Sequence, residues 1–439
     1  MIRPFAIWLL LAALGQAPAL AQTPLTLTDA VVRARAQNPD AGIGAAAERE
    51  AAARLTQARA GYLPRVDVTE SWQRGNQPVF VFGSLLAQRR FTAANFALPA
   101  LNDPAAVNNF RAAVMAEQSL FDGATRATVA AAGIGHEIAS ARRLIVDRDL
   151  AVGVTHAYGR VLAAAAARRS AAAAADAAHA DRELAGNRRD AGLVTDADVL
   201  QLDVYVARTR EMQIRSASDE RTARAELNTW MGEALDAVFA LDSIAPATAL
   251  DTSDVAALQA EAISNRPDVK VAELEERLGG ANLDAARAAF LPQVSAQGGW
   301  ESNGGTWNTR ASSWVLGAVA RVNLFHGSAD KARLAEARAQ VTRRALERRK
   351  TESAARLGVY TAVARLDAAR ASDAVGRAAV TQARESRRII RDRYEGGLTD
   401  VASLLRATEA VVQAETQQTA ATVAVLTETA ALARTLGRR

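Results

Sequence analysis

Cysteine is absent from the 439 residues, which excludes disulfides and an N-terminal lipid-modified cysteine. Aromatic residues make up only 5% of the chain, while Ala, Arg, Glu, Leu and Gln recur in long runs; that balance favours long helices and coiled coils. Beyond the N-terminus no stretch reaches the about 18 consecutive apolar residues of a membrane helix. If the mature chain enters a bilayer, it does so as closed β-structure. Four histidines, His136, His156, His179 and His326, stand without metal-ligand spacing. Neither a Gly-rich phosphate loop nor a G-x-S-x-G elbow occurs, so no catalytic set and no cofactor site is expected. The formal net charge is +5 and the sequence pI about 9.9. The basic residues alternate with Asp and Glu along helical stretches, which reads as solvated helix faces and not as a nucleic-acid patch.

What is present begins with Arg3, an apolar run from Phe5 to Leu14, and Ala19-Leu20-Ala21 before Gln22. A positive n-region, an h-region and an A-x-A site make residues 1–21 a secretory signal peptide, with the mature chain starting near Gln22. The chain then states one plan twice. Pro39-Asp40 returns as Pro267-Asp268, Leu63-Pro64 as Leu291-Pro292 and Trp72 as Trp300, each 228 residues later. Ser119-Leu120-Phe121-Asp122-Gly123 returns as Asn323-Leu324-Phe325-His326-Gly327 at an interval of 204, so the stretch before it is about 24 residues longer in the first copy. An echo of this length means duplication, and its period is too large for a solenoid.

The two copies predict the same order of elements. Residues 22–231 form the first repeat, with strands at about 65–74 and 110–121 and a long helical hairpin at about 124–231. Residues 232–253, with Pro246, form a connector. Residues 254–439 form the second repeat, with strands at about 293–302 and 313–325 and a helical hairpin at about 329–436. The strands rest on period-2 alternation such as Val66, Val68, Trp72. Glu70 interrupts that apolar face, so it lies near the rim of a membrane or the other face looks outward. In the first long helix Ile134, Ile138, Ala141, Ile145, Val152, Thr155, Gly159 and Leu162 form a heptad-like seam, with Arg148 as an exception. Between Gln73 and Asn109 lies an irregular, aromatic-rich stretch. Its Phe80–Phe96 portion is expected to cover or plug the outer end.

Four strands cannot close a membrane barrel, but three chains would supply twelve. The doubled Pro-Asp, the doubled Leu-Pro before a strand, the doubled Leu-Phe-x-Gly after one, and Tyr394-Glu395-Gly396-Gly397-Leu398-Thr399-Asp400 together resemble the TolC-like outer-membrane efflux protein family over nearly the whole mature chain. The resemblance implies a mainly α protein with membrane β-structure: a trimeric 12-stranded β-barrel in the outer membrane of a Gram-negative cell, continued by a periplasmic α-helical barrel. It also implies a homotrimer in outer-membrane lipid that docks a periplasmic adaptor (membrane fusion) protein and an inner-membrane RND or ABC transporter. The function implied is passive export within a tripartite efflux pump or type I secretion system, with any energy supplied by a partner. A periplasmic coiled-coil adaptor or scaffold without a pore is the competing reading. The duplication and the barrel-length strands argue against it, because an adaptor would show a single hairpin.

The resemblance also places candidate sites. The family's periplasmic gate falls on Asp198, Tyr394 and Thr399, the last where the family carries Arg. Its acidic constriction falls on Ser403 and Arg406, so an acidic ring is not supported and three Arg406 side chains would favour anions. Two plainer alternatives stand: Asp198 as an acid favoured by a helix N-terminus, and Arg406 as a solvated helix residue. The adaptor-docking turns fall on Gly192, Leu193 and Thr195, and on Gly397, Leu398 and Asp400. Both glycines read as helix C-cap residues. Trp72, Trp300, Trp307 and Trp314 are candidates for an interfacial aromatic girdle, with core packing as the alternative.

Overall fold

A computed structural model describes residues 24–242 and 250–438. The expected signal peptide and residues 243–249 of the expected connector lie outside them. In chain order the elements are α1 (Leu27–Gln37), α2 (Pro39–Arg59), β1 (Arg65–Gly75), α3 (Pro78–Ala87), α4 (Leu98–Asn102), β2 (Val107–Phe121), α5 (Gly123–Asp190) and α6 (Asp196–Met231). The second copy follows with α7 (Val255–Asn265), α8 (Pro267–Ala288), β3 (Gln293–Gly304), β4 (Ala311–Arg321), α9 (Ala329–Glu395) and α10 (Val401–Thr435). Local rules set most boundaries. Asn38 and Arg266, each before a proline, are extended at ψ 132° and 127° and separate consecutive helices. Asp122 caps α5, its carboxylate accepting from the amides of Ala124 at 2.9 Å and Thr125 at 3.2 Å. With 68 residues and no proline, α5 is about 100 Å long.

The chain divides into two compact units. One holds residues 40–148, 252–363 and 433–439, and contains the sheet. Its strands run antiparallel in the order β1-β2-β3-β4, so β1 and β4 are free edges within the chain. The register places Val68, Val114 and Trp300 in one cross-strand row and pairs Trp300 with Trp314. Because side chains alternate, these share a face with Val66, Trp72, Ala116 and Leu316. The other face carries Asp67, Thr69, Arg111, Glu117, Gln297 and Glu301. Arg111 and Glu301 pair across it at 2.8 Å. Glu70 lies on the apolar face, one row from the Trp72–Phe110 pair, and Arg310 clasps both of its oxygens at 3.0 and 2.9 Å. Glu70 is thus the middle residue of β1, away from the strand ends, and its charge is neutralised by Arg310 from the β3–β4 connection.

Several expectations shift. β4 ends at Arg321, and residues 322–325 lie beyond the paired strand and exposed, so the expected strand to 325 is too long. A bulge between Ser119 and Phe121 turns Phe121 onto the apolar face, facing Val294. The stretch read as irregular contains α3, started by Pro78 at its first position, and the short α4.

The second unit holds the chain up to Pro39, residues 149–251 and residues 364–432. One core joins Ala30, Ala34, Val154, Tyr158, Val161, Leu227 and Met231. The Tyr158 hydroxyl donates between the carbonyls of Leu25, 2.9 Å away, and Asp242, 2.8 Å away. Gly153 lets Trp230 lie flat on α5; a Cβ there would meet the ring at 2.5 Å. The buried line of α5 here is Leu150, Val154, Ala157, Tyr158 and Val161, displaced from the expected Val152–Leu162 seam. The helix buries a face broader than a heptad stripe, with Thr155 and Gly159 also buried.

Candidate functional site at the hairpin tips

Both helical hairpins turn in the same way. Leu193 N–H donates to the Arg188 carbonyl and Gly192 N–H to the Arg189 carbonyl, both at 2.8 Å. Leu398 N–H donates to the Arg393 carbonyl at 2.8 Å and Gly397 N–H to the Tyr394 carbonyl at 3.0 Å. This is a Schellman motif twice over, and it needs the left-handed backbone of Gly192 (φ 75°) and Gly397 (φ 73°). The following leucines, Leu193 and Leu398, stay exposed.

Each return helix then starts on a cap. In α6, Thr195 and Asp198 form a reciprocal capping box: the Asp198 carboxylate accepts from the Thr195 amide at 2.9 Å, and the Thr195 hydroxyl accepts from the Asp198 amide at 3.3 Å. In α10, Asp400 accepts from the Ser403 amide at 2.9 Å, and hydrogen bonding from the Ser403 side chain, with that amide, holds the Asp400 carboxyl below its ordinary range. Arg406 folds back along its own helix, reaching the Ala402 carbonyl at 3.3 Å and the Ser403 hydroxyl at 3.2 Å. Thr399 is half-buried and takes no side-chain part in these bonds.

Behind the turns, Ala185, Val199, Leu202, Tyr394, Val401 and Leu404 make one core, so all four helix ends meet around Tyr394. Tyr394 is 2% exposed, and burial pushes its hydroxyl up in pKa. That hydroxyl has no hydrogen-bond partner among the described residues, and the Asp198 carboxylate bonds instead to Thr195. One group that ties the two hairpins together at the turns is one that the sequence did not point to. Arg188, in the last turn of α5, lies with its guanidinium 5.0 Å from the Tyr394 ring centroid. It donates to the Tyr394 carbonyl and, at 3.3 Å, to the Glu395 carbonyl. A cation thus closes the C-terminus of α9. The signal available was only a basic residue in a last helical turn, which is too common to single out.

Further along α5, the carboxylate of Asp181, 1% exposed, faces Arg387 and Arg391 at 3.9 Å each. Burial drives its pKa up against the pull of the two guanidinium groups. Asp181, Arg188, Arg387 and Tyr394 each carry a buried side-chain atom with no hydrogen-bond partner among the described residues. The tip thus gathers several buried polar groups with unmet hydrogen-bonding capacity. No group of three or more His, Asp or Glu side chains able to hold a metal occurs among the described residues.

The tryptophans separate along the sheet. Trp72 stacks on Phe110 at 6.4 Å, Phe110 on Trp307 at 6.1 Å, and Arg310 lies over Trp307 at 4.4 Å, all at the loop end. Trp300 and Trp314 pair directly, four residues nearer the helices. Where strands meet helices, Tyr62, Phe121, Phe290 and Phe325 are exposed, a second aromatic group that the sequence reading did not assign.

A sheet with one apolar face, fed by two long helical hairpins, defines the channel subunit of an outer-membrane export system, and a pore-less adaptor does not have this form. The sequence pattern of the outer membrane efflux protein family matches residues 30–233 and 258–438, and the chain belongs to that family. The family is one of transport proteins and places the chain in the outer membrane. Protein CyaE of Bordetella pertussis is 27% identical over 391 residues, covering 87% of this chain and 78% of CyaE. The fold of the outer-membrane channel OprN superposes with a TM-score of 0.80 at 22% identity, covering 94% of this chain and 90% of OprN. VceC of Vibrio cholerae superposes at 0.78 with 19% identity, covering 94% and 96%.

Proposed function

We propose that three copies of this chain close a 12-stranded barrel through the free edges of β1 and β4, and that the hairpins extend it as a periplasmic α-helical duct. The observation that carries this reading is the sheet itself. Four strands of 11 to 15 residues have an apolar face and two unpaired edges, which lipid does not tolerate unless neighbouring copies pair them. In outer-membrane lipid the apolar face meets the acyl chains, and Trp72, Trp300, Trp307 and Trp314 form part of its aromatic girdle. The polar face lines the pore.

The tips form the periplasmic mouth. Asp198, Thr399, Ser403 and Arg406 line its constriction with Tyr394 buried behind them as part of the gate, and Arg188 takes the part of the missing arginine by tying α5 to the end of α9. Arg406 gives the mouth a basic rather than an acidic lining. Gly192, Leu193, Thr195, Gly397, Leu398 and Asp400 present the surface that a periplasmic adaptor grips, with an RND or ABC transporter of the inner membrane supplying the energy. The relation to CyaE favours a secretion partner as readily as a drug pump.

Size-exclusion chromatography with light scattering in mild detergent tests the assembly, and planar bilayers test the pore. A trimer with ion conductance is expected. A monomer that fractionates with soluble periplasmic protein would end this reading.

A further inference from the structure

The first repeat carries an element that the second lacks. α3 and the turns after it fill the connection between β1 and β2, whereas β3 and β4 are joined by the six residues 305–310. α3 lies against β2, β3 and β4, and its seat fixes which side of the sheet it covers. Gln88, at its C-terminus, donates to the Asn108 carbonyl at 2.8 Å and to the Asn109 side-chain oxygen at 3.1 Å. Asn109 in turn donates to the Asn303 side-chain oxygen at 3.0 Å. Asn109 and Asn303 belong to the polar face, with Arg111 and Glu301. Arg89 anchors the same end to the Ser312 carbonyl at 2.9 Å. All three amides of this chain of bonds are buried. α3 is therefore fastened over the pore side of the sheet, at the end away from the helices.

The helix is apolar on its outer side as well. Val81 and Ser84 are buried beneath it, while Val79 is 78% exposed and Leu86 50%, beside the partly exposed Phe82. Phe82, Phe91 and Phe96 stack edge to face at 4.7 and 5.1 Å, which stiffens the loop beneath this surface. An apolar helix face standing in a water-filled mouth is unfavourable unless something covers it.

We propose that α3 is one third of an apolar lid across the outer mouth of the channel, with its Val79, Phe82 and Leu86 covered by the same residues of the two other copies. A second copy is the occupant because the free edges of β1 and β4 already require copies on both sides of each sheet. Every copy then carries its own α3 onto the shared pore face. The inference rests on the trimeric-channel reading above.

The natural absence of cysteine makes the test clean. Leu86→Cys and Val79→Cys are introduced singly into the full chain and treated with a short bis-maleimide in the detergent-solubilised trimer. Covalent dimers and trimers on denaturing gels are expected from both, and none from a control Leu316→Cys on the lipid-facing side. Adding Val79→Asp to Leu86→Cys should lower the cross-linked fraction several-fold while the trimer persists. On intact cells, Leu86→Cys should react slowly with a membrane-impermeant maleimide and at least tenfold faster once Val79→Asp is present. A trimer in which Leu86→Cys neither cross-links nor resists labelling overturns the lid and leaves the channel standing. A protein that is monomeric by light scattering overturns the trimer reading and the lid with it.

Discussion

Replacing Arg188 by alanine should loosen the mouth without dismantling the protein. Its guanidinium makes a cation–π contact with Tyr394 and reaches the carbonyls of Tyr394 and Glu395. A hydrogen bond from a charged group contributes about 1.5–3 kcal/mol when buried, and a partly exposed cation–π contact about 0.5–1 kcal/mol. Arg188 is half-buried, so solvent screening brings the sum to about 2 kcal/mol per copy. If the contact exists only in the closed mouth, about 2 kcal/mol shifts the closed-to-open ratio by about 30-fold. A hairpin pair parted about 1% of the time in one copy would then be parted about a quarter of the time. Single-channel recording in planar bilayers reads this as open probability. Arg188→Lys keeps the charge but not the planar stacking, and should fall between the two. A fold control is available in the trimer's resistance to dissociation in detergent. If Arg188→Ala leaves open probability unchanged while the trimer is intact, the contact is not a latch and the argument fails.

Two buried acids should give opposite pH signatures. Burial raises the Asp181 pKa, so its ionised form costs stability at neutral pH, and that cost is relieved as pH falls through the raised value toward 3.8. Asp181→Asn should therefore gain on the order of 1 kcal/mol over the parent at pH 7.5 and lose that advantage near pH 4, read from urea midpoints. Burial also works against ionised Glu220, but Arg224 at 2.8 Å and Arg168 at 2.5 Å outweigh it and lower its pKa below 4.5. Its contribution is present above pH 4.5 and fades as pH falls through the lowered value, so Glu220→Gln should cost about 2 kcal/mol at pH 7.5 and little in acid. Gly153→Ala drives a methyl into the Trp230 ring and should cost about 1–3 kcal/mol by thermal unfolding; Trp230→Leu in the same chain should recover most of it. Leu193→Asp with Leu398→Asp leaves both turns intact. It should abolish co-purification with a periplasmic adaptor and raise drug or cargo retention at least tenfold, with the trimer unaffected.

The parts legible in the sequence are those fixed by local chemistry. Pro39 and Pro267 separate helices because the residue before proline avoids the helical region, and Gly192 and Gly397 end helices because only glycine accepts that backbone easily. Alternation of Val66, Val68 and Trp72 gave the strand face because the period is a property of the pleat. What failed depends on partners far away in sequence. The Arg188–Tyr394 link spans 206 residues and rests on how two helices are rotated. α3 was hidden because a ten-residue apolar run fits strand, loop or helix equally, and because no second copy of it exists for comparison. The bulge at Leu120, which re-aims Phe121, leaves no compositional trace.

The duplication makes the asymmetry of the tips informative. The two turns superpose by a constant interval, so Tyr394 corresponds to Arg189 and Arg393 to Arg188. Yet Tyr394 is buried in the tip core, while Arg189 is exposed and pairs only with nearby Asp190, at 2.7 Å, and more distantly with Asp196. Arg188 crosses to the other hairpin, whereas Arg393 is exposed. Identical backbones therefore carry unlike contacts. One hairpin supplies the cation, and the other supplies the ring and the carbonyls that receive it. In the proposed trimer, six tips would carry three such links within single copies. On the proposed trimer, opening the Arg188 link would need only the two hairpins of one copy to part. If three copies close the barrel as proposed, a side-chain substitution at Arg188 would change the mouth while leaving the sheet edges of β1 and β4 untouched.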